Sequence, residues 1–169
     1  HSAIFPMSDD APRAVIRRLL GGKLRPLLRG GAACTCGTPY LRDYAAQWNS
    51  RAIVLPTVVD TASYRPASHA PGPLVIGWIG SPTTWANVRP LLPLLRRLVQ
   101  NHGVRVRAVG AGRAAEADAL PGLELVPWSE ETEVREVQGF DIGIMPLIDG
   151  PFERGKSGYK LIQYMACGL

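Results

Sequence analysis

Leu74-Val-Ile-Gly-Trp-Ile79 runs into Gly80-Ser-Pro-Thr-Thr84 and then into Trp85 to Gln100, where Leu91, Leu92, Leu94, Leu95 and Leu98 recur at helical spacing. A short apolar run followed by that periodicity reads as a strand and then a helix. Gly103 stops the helix, Val104-Arg-Val-Arg-Ala-Val109 reads as a second strand, and Gly110-Ala-Gly-Arg113 turns into an Ala-rich stretch, 114–120. Leu123 to Val126 is a third strand. Ser129, with Glu131 and Thr132 in the next turn, opens a charged helix to Gln138, and Phe140-Asp-Ile-Gly-Ile-Met-Pro146 is a fourth strand. Residues 148–157 read as a polar loop and Tyr159 to Cys167 as a last helix. Repeated strand-loop-helix units imply right-handed crossovers and an α/β fold with a doubly wound parallel sheet. The last helix, ending at Ala166-Cys-Gly-Leu169, is expected to hand over to a further strand, so the domain reads as truncated.

Upstream the pattern changes. A basic amphipathic helix, about Arg13 to Leu28, leads into a small-residue strand at 32–37. Thr38 caps a helix through Trp48, Arg51 to Leu55 is another strand, and 56–66 is extended, with Pro71-Gly-Pro73 completing a linker-like stretch. The expected division is therefore 1–66 and 67–169.

The chain has 169 residues, 46% of them hydrophobic and 20% charged, which excludes disorder and a fibrous repeat. No apolar stretch approaches the ~18 residues of a membrane span, and no secretory leader is visible. Three cysteines, Cys34, Cys36 and Cys167, are too few for a disulfide framework or a zinc site, so a reducing, cytoplasmic compartment is expected. Cys34 and Cys36 are expected on opposite faces of their strand. The net charge of +5 favours anionic partners. Six basic residues (Arg13, Arg17, Arg18, Lys23, Arg25 and Arg29) fall within the first thirty, while acids gather in 116–136. The helix carrying the six either lies on an anionic membrane or packs on its own domain; packing is preferred.

Three loops could carry chemistry. Gly80-Ser-Pro-Thr-Thr84 is a strand-to-helix loop whose N–H groups could approach an anion, or a tight turn with a hydroxyl cap. Gly110-Ala-Gly112-Arg113 adds a cation but lacks the third glycine of a dinucleotide fingerprint, so a plain turn is preferred. Pro151-Phe-Glu-Arg-Gly-Lys-Ser-Gly-Tyr-Lys160 is the densest cluster. Its cations Arg154, Lys156 and Lys160, with Ser157 and Gly158, suit a diphosphate, and Glu153 suits sugar hydroxyls or developing positive charge. It is not a phosphate-binding P-loop, since the upstream glycine is missing. His1, His69 and His102 are expected on the surface, Asp9-Asp10 in a solvated turn or cap, and Trp128 in the core rather than stacked on a base or sugar.

Phe140-Asp-Ile-Gly-Ile-Met-Pro-Leu147, Glu153-Arg-Gly-Lys156 and Lys160-Leu-Ile-Gln-Tyr-Met-Ala-Cys-Gly-Leu169, in this order, resemble the donor-binding domain of GT-B glycosyltransferases of the group 1, or family 4, type. Asn49 to Pro66, with Val54-Leu-Pro-Thr-Val-Val-Asp60, is similar to that family's passage between two Rossmann-like domains, and Gly77-Trp-Ile-Gly80 to the first strand of the second. The resemblance implies that 1–66 is the end of an acceptor-side domain with the crossover, and 67–169 an incomplete donor domain. It implies sugar transfer from a nucleotide diphosphate sugar to an acceptor, with retention, needing no cofactor and no metal at the donor site. The implied partners are the nucleotide-sugar donor and an acceptor that is a sugar, lipid-linked sugar or small molecule, with no nucleic acid; peripheral contact with an anionic inner membrane face is the alternative the basic helix leaves open. By position Gly80 and Ser81 would meet the diphosphate, Lys156 and Arg154 neutralise it, Glu153 sit near the sugar, Pro127 and Trp128 border the base, and Gln163 reach the ribose. The sequence departs from the family where its paired glutamates belong: the second position is Gln163, the first Gly155. The basic pair often found after the first glycine loop is also missing from 81–88.

Overall fold

The computed structural model describes residues 24–68, 71–116, 118 and 120–169. His1, Asp9-Asp10, most of the expected basic helix, and His69 lie outside the described residues. The fold is mixed α/β with parallel sheets, in two compact units: His1–Val58 with Ile148–Ser157, and Val59–Leu147 with Gly158–Leu169.

In the first unit, helix α1 (Leu24–Gly30) precedes strand β1 (Cys34–Cys36), helix α2 (Pro39–Ala46) and strand β2 (Ala52–Val54). β1 and β2 pair in parallel, Cys34 opposite Ala52. Thr38 caps α2 by accepting from Leu41 N at 3.2 Å, with Pro39 in the first turn, where a missing N–H is harmless. The cysteines correct the expectation: residues two apart on a strand point the same way. Cys36 is buried against Leu41 and Ala45, Cys34 packs beside it, and exposed Thr35 lies between. Asn49 Nδ2 donates to Leu28 O and Gly31 O, each at 2.8 Å, satisfying carbonyls at the end of α1. The guanidinium groups of Arg25 and Arg29 lie over the Trp48 ring, 4.9 and 4.6 Å from its centroid. The expected polar loop 148–157 holds a helical turn, α6 (Pro151–Arg154), because Pro151 presets the backbone at its first position.

The second unit carries a four-stranded parallel sheet of β3 (Val75–Ile79), β4 (Arg105–Val109), β5 (Leu123–Val126) and β6 (Ile142–Gly143), in the order β5-β4-β3-β6. The chain steps outward from β3 to β5 and then returns to the far side of β3. β3 is buried along its whole length. Its residues alternate between two cores, as the period of a strand requires. Ile76 and Trp78, with Val106 and Ala108 of β4, pack against Trp85, Val88, Leu92 and Leu95. Val75 and Ile79, with Val109, pack against Val137, Phe140 and Tyr164 on the opposite face. Gly77 belongs to that second face, and a Cβ there would fall inside the Phe140 ring.

The long helix expected over 85–100 is divided. Two 3-10 segments, Pro82–Asn87 and Arg89–Leu91, precede α3 (Leu92–His102). Pro90 and Pro93 bring no N–H to an α-helical ladder, so the regular helix begins only where both are in its first turn or ahead of it. Gly103 ends α3 in the left-handed conformation, φ 63°. Helices α4 (Arg113–Glu116), α5 (Glu133–Gln138) and α7 (Tyr159–Ala166) complete the unit. β6 is shorter than the strand expected over 140–146. It is fixed at its start by Asp141, whose Oδ2 accepts from Val75 N at 2.7 Å while its own N–H donates to Val75 O at 2.9 Å. Among the described residues no helix is long and apolar enough to cross a membrane.

Candidate functional site

The loops leaving β3, β4 and β5 converge at one end of the second unit's sheet. Gly80 N–H donates to Val109 O at 2.9 Å and Gly110 N–H to Val126 O at 2.8 Å, extending the ladders one residue past each strand. Gly110 has φ +78°, and a Cβ on it would strike Gly80 O, so only glycine lets the two loops lie against each other. Ser81 N–H donates to Thr84 Oγ1 at 3.2 Å and Thr84 N–H to Ser81 O at 2.9 Å. The Ser81 hydroxyl shares hydrogen bonds with those of Thr83 and Thr84. The amides of Gly80, Ser81 and Thr84 are thus all occupied within the protein, and they form no cradle for an anion.

These loops wall a cavity of about 460 Å³ together with α7 and the start of α5. Gly80 and Ser81 form one side, Trp128 and Glu133 another, and Tyr159, Lys160 and Gln163 of α7 a third. The Lys160 ammonium lies 4.6 Å from the centroid of the buried Trp78 ring. A Cβ on Gly80 would stand 2.6 Å from Lys160 Nζ and 2.6 Å from Trp78 Cζ2. The missing side chain at Gly80 makes room for a cation, seated on an aromatic face.

Glu133 is the hub of the opposite wall. Its Oε1 accepts from Gln163 Nε2 at 2.6 Å and from the Tyr64 hydroxyl, and its Oε2 accepts from Trp128 Nε1. Gln163 Nε2 also donates to the Tyr64 hydroxyl at 2.7 Å. Gln163 is 2% and Tyr64 8% exposed. Burial first, and then the hydrogen bond to the Glu133 carboxylate, push the Tyr64 phenol above its usual range. Trp128 is 53% exposed, which overturns its expected place in the core. Trp78 and Trp85 fill the core instead, edge to face at 5.2 Å between centroids.

Of the residues singled out in the sequence, the cavity brings together Gly80, Ser81, Trp128, Lys160 and Gln163. Gly158 stands at the start of α7 with φ 71°. Arg113 opens α4 and Pro127 follows β5, both exposed and both outside the set of lining residues. Glu153, Arg154, Lys156 and Ser157 belong to the first unit. There Arg154 forms a double hydrogen bond with Asp149, each arm 2.7 Å, and this holds the Asp149 carboxyl below its ordinary range. Lys156 Nζ lies 3.9 Å from Glu153 Oε1 and 4.8 Å from the Phe152 ring centroid. Ser157 packs beside Gly37. His102 is exposed at the end of α3. Sequence reasoning missed Glu133 and Tyr64: an acid in a helix's first turn reads as a complement to the dipole, and a tyrosine in an extended segment carries no periodicity. Among the described residues no three His, Cys, Asp or Glu stand together as metal ligands would. No family model matches the chain, and no curated protein matches it.

Proposed function

We propose that this chain is the nucleotide-sugar-binding part of a glycosyltransferase, which moves a sugar from a nucleotide diphosphate sugar to an acceptor with retention of configuration. In this reading the second unit is a Rossmann-like, doubly wound donor domain. The observation that carries it is the cavity at the end of the sheet from which the chain enters its loops, beside β3, where the strand order reverses. In open α/β sheets ligands gather at the carboxyl ends of strands at such a reversal. The wall chemistry suits the ligand: an exposed indole for a planar base, a carboxylate and an amide for hydroxyls, and an ammonium for phosphate. Charge grows on the leaving diphosphate as the glycosidic bond breaks, so a fixed cation stabilises the transition state more than the intact donor. The family resemblance gives Glu153 and Lys156 roles near the sugar and the diphosphate and supplies the acceptor, while peripheral membrane contact is the alternative the basic helix leaves open. A second reading, a non-catalytic nucleotide or sugar-phosphate binding module, is favoured by one observation. The carboxylate at the cavity, Glu133, already accepts from Tyr64, Gln163 and Trp128.

The test is a thermal shift series with UDP, GDP, ADP and TDP against ribose 5-phosphate. A diphosphate at a hundred times its Kd stabilises by about 2.7 kcal/mol. A shift with one diphosphate and none with ribose phosphate supports the reading, and no shift with any of the four removes it. Transfer of sugar by the intact enzyme then separates the transferase from the binding module.

A further inference from the structure

Donors and acceptors are unevenly shared along the cavity wall. At the Trp128 end the donors are spent inside the protein. Trp128 Nε1 donates to Glu133 Oε2, and Gln163 Nε2 donates to Glu133 Oε1 at 2.6 Å and to the Tyr64 hydroxyl at 2.7 Å. The Gly80 and Gly110 amides donate to Val109 O and Val126 O, and Pro82 has no N–H to offer. The Glu133 carboxylate only accepts. Yet every nucleobase carries acceptors on its edge, carbonyl oxygens or ring nitrogens, and an acceptor taken out of water without a donor is costly. Tyr159 meets that need. It is the first residue of α7 and lines the cavity, 40% exposed, and its hydroxyl engages none of the described residues. It stands one turn ahead of Gln163 on the same face of the helix. Its phenol lies within electrostatic reach of Tyr64, at the Glu133 end of the wall, whereas the neighbouring Lys160 ammonium sits over Trp78 beside Gly80.

We propose that Tyr159 is a specificity-determining residue of this cavity, its hydroxyl donating to an edge acceptor of the base that stacks on Trp128. The inference rests on the nucleotide-diphosphate reading above and names the residue that tells one base from another. The indole chooses little, because every base has a flat face to stack. A hydroxyl carried at a fixed place on a helix does choose. It rewards the base whose carbonyl oxygen or ring nitrogen meets it and leaves the others short of a bond.

The experiment is calorimetric titration of this chain and of Tyr159→Phe with uridine, guanosine, adenosine and thymidine and with their 5′-diphosphates. The phenylalanine keeps the ring and removes the hydroxyl alone. Loss of one neutral hydrogen bond predicts roughly three- to tenfold weaker affinity for the preferred base, as nucleoside and as diphosphate alike. The remaining bases change less, so the preference among the four narrows. An unchanged affinity for the preferred base overturns the proposal. So does an equal loss for all four bases, which marks a merely structural tyrosine, or a loss confined to the diphosphates, which puts the hydroxyl on phosphate. A parent chain that binds all four bases alike overturns it too; in these four cases the nucleotide reading stands. Binding of no diphosphate by the unmodified chain overturns both.

Discussion

Gln163 Nε2 and Glu133 Oε1 lie 2.6 Å apart, joining α7 to α5 at the cavity wall. The same carboxylate oxygen accepts from the Tyr64 hydroxyl, so one acid satisfies two buried donors from distant parts of the second unit. Removing it leaves the buried Tyr64 hydroxyl without its acceptor and Gln163 Nε2 with the Tyr64 oxygen alone. Glu133→Ala is expected to destabilise the chain by about 1–3 kcal/mol, the desolvation penalty of buried polar groups left short of a partner. Glu133→Gln keeps one acceptor oxygen and is expected to lose less. Urea unfolding of the two variants checks this: an unfolding midpoint of Glu133→Ala equal to that of the parent contradicts it.

Tyr64 gives stability an alkaline limit. Burial and the neighbouring carboxylate raise its phenol, so the folded state holds the proton after the unfolded chain has released it. The unfolded state then binds fewer protons, and stability falls as pH rises above the ordinary tyrosine value of about 10. Below that value the contribution is present in full. Tyr164 is raised as well, by burial, and gives a slope of the same sign. Tyr64→Phe is therefore expected to flatten, without abolishing, the decline in urea midpoint above the ordinary phenol range. An identical decline in parent and variant is the contrary result.

Gly77 and Phe140 make a third, purely steric prediction. The Phe140 ring, fully buried, occupies the volume a Cβ at Gly77 would need. Gly77→Ala over-packs the face of β3 that meets α5 and α7, at a cost of about 1–3 kcal/mol. Pairing it with Phe140→Leu restores room, so the double variant should unfold at a higher temperature than the sum of the two single losses implies. Simple additivity of the two melting shifts argues against the contact.

The same residues show what a sequence reveals. Strands β3, β4 and β5 were legible because apolar runs bounded by glycine turns are local signals, and the parallel α/β class follows from their alternation with helices. Pro90 and Pro93 were equally visible, yet the leucine periodicity across them suggests one helix where the chain makes two 3-10 segments and a shorter α3. Periodicity reports which side chains face the core and not which backbone hydrogen bonds close. The cavity was legible at Gly80, Ser81, Lys160 and Gln163, which stand in or next to recognisable loops and a recognisable last helix. Glu133 and Tyr64 were not, since their meeting at Gln163 depends on three segments far apart in the chain. Trp128 was misplaced for a related reason: its N–H finds Glu133 at the surface, so a residue type that usually buries its ring is held half outside.

That held position yields the last prediction. Trp128 is pinned through Nε1 to a carboxylate that is itself braced by two buried donors, so its exposed ring stands as a prepared flat wall of the cavity. Pre-arranging a side chain lowers the ordering a ligand must impose when it binds. Stacking of a base on an aromatic ring contributes about 1–3 kcal/mol as judged by replacement with alanine. Trp128→Ala is therefore expected to weaken nucleoside and nucleoside diphosphate binding alike, by roughly tenfold, because the lost contact is to the uncharged part of the ligand. Trp128→Phe keeps a ring and should retain much of the affinity, while losing the tether to Glu133. Neither change should lower the unfolding temperature greatly, since about half of the side chain already faces water. Titration of both variants with uridine and UDP, and with the other nucleoside pairs, checks the pattern. Equal affinity of the alanine and phenylalanine variants would show that the ring does not stack, and a loss confined to the diphosphates would place Trp128 at the phosphate end of the cavity instead of the base.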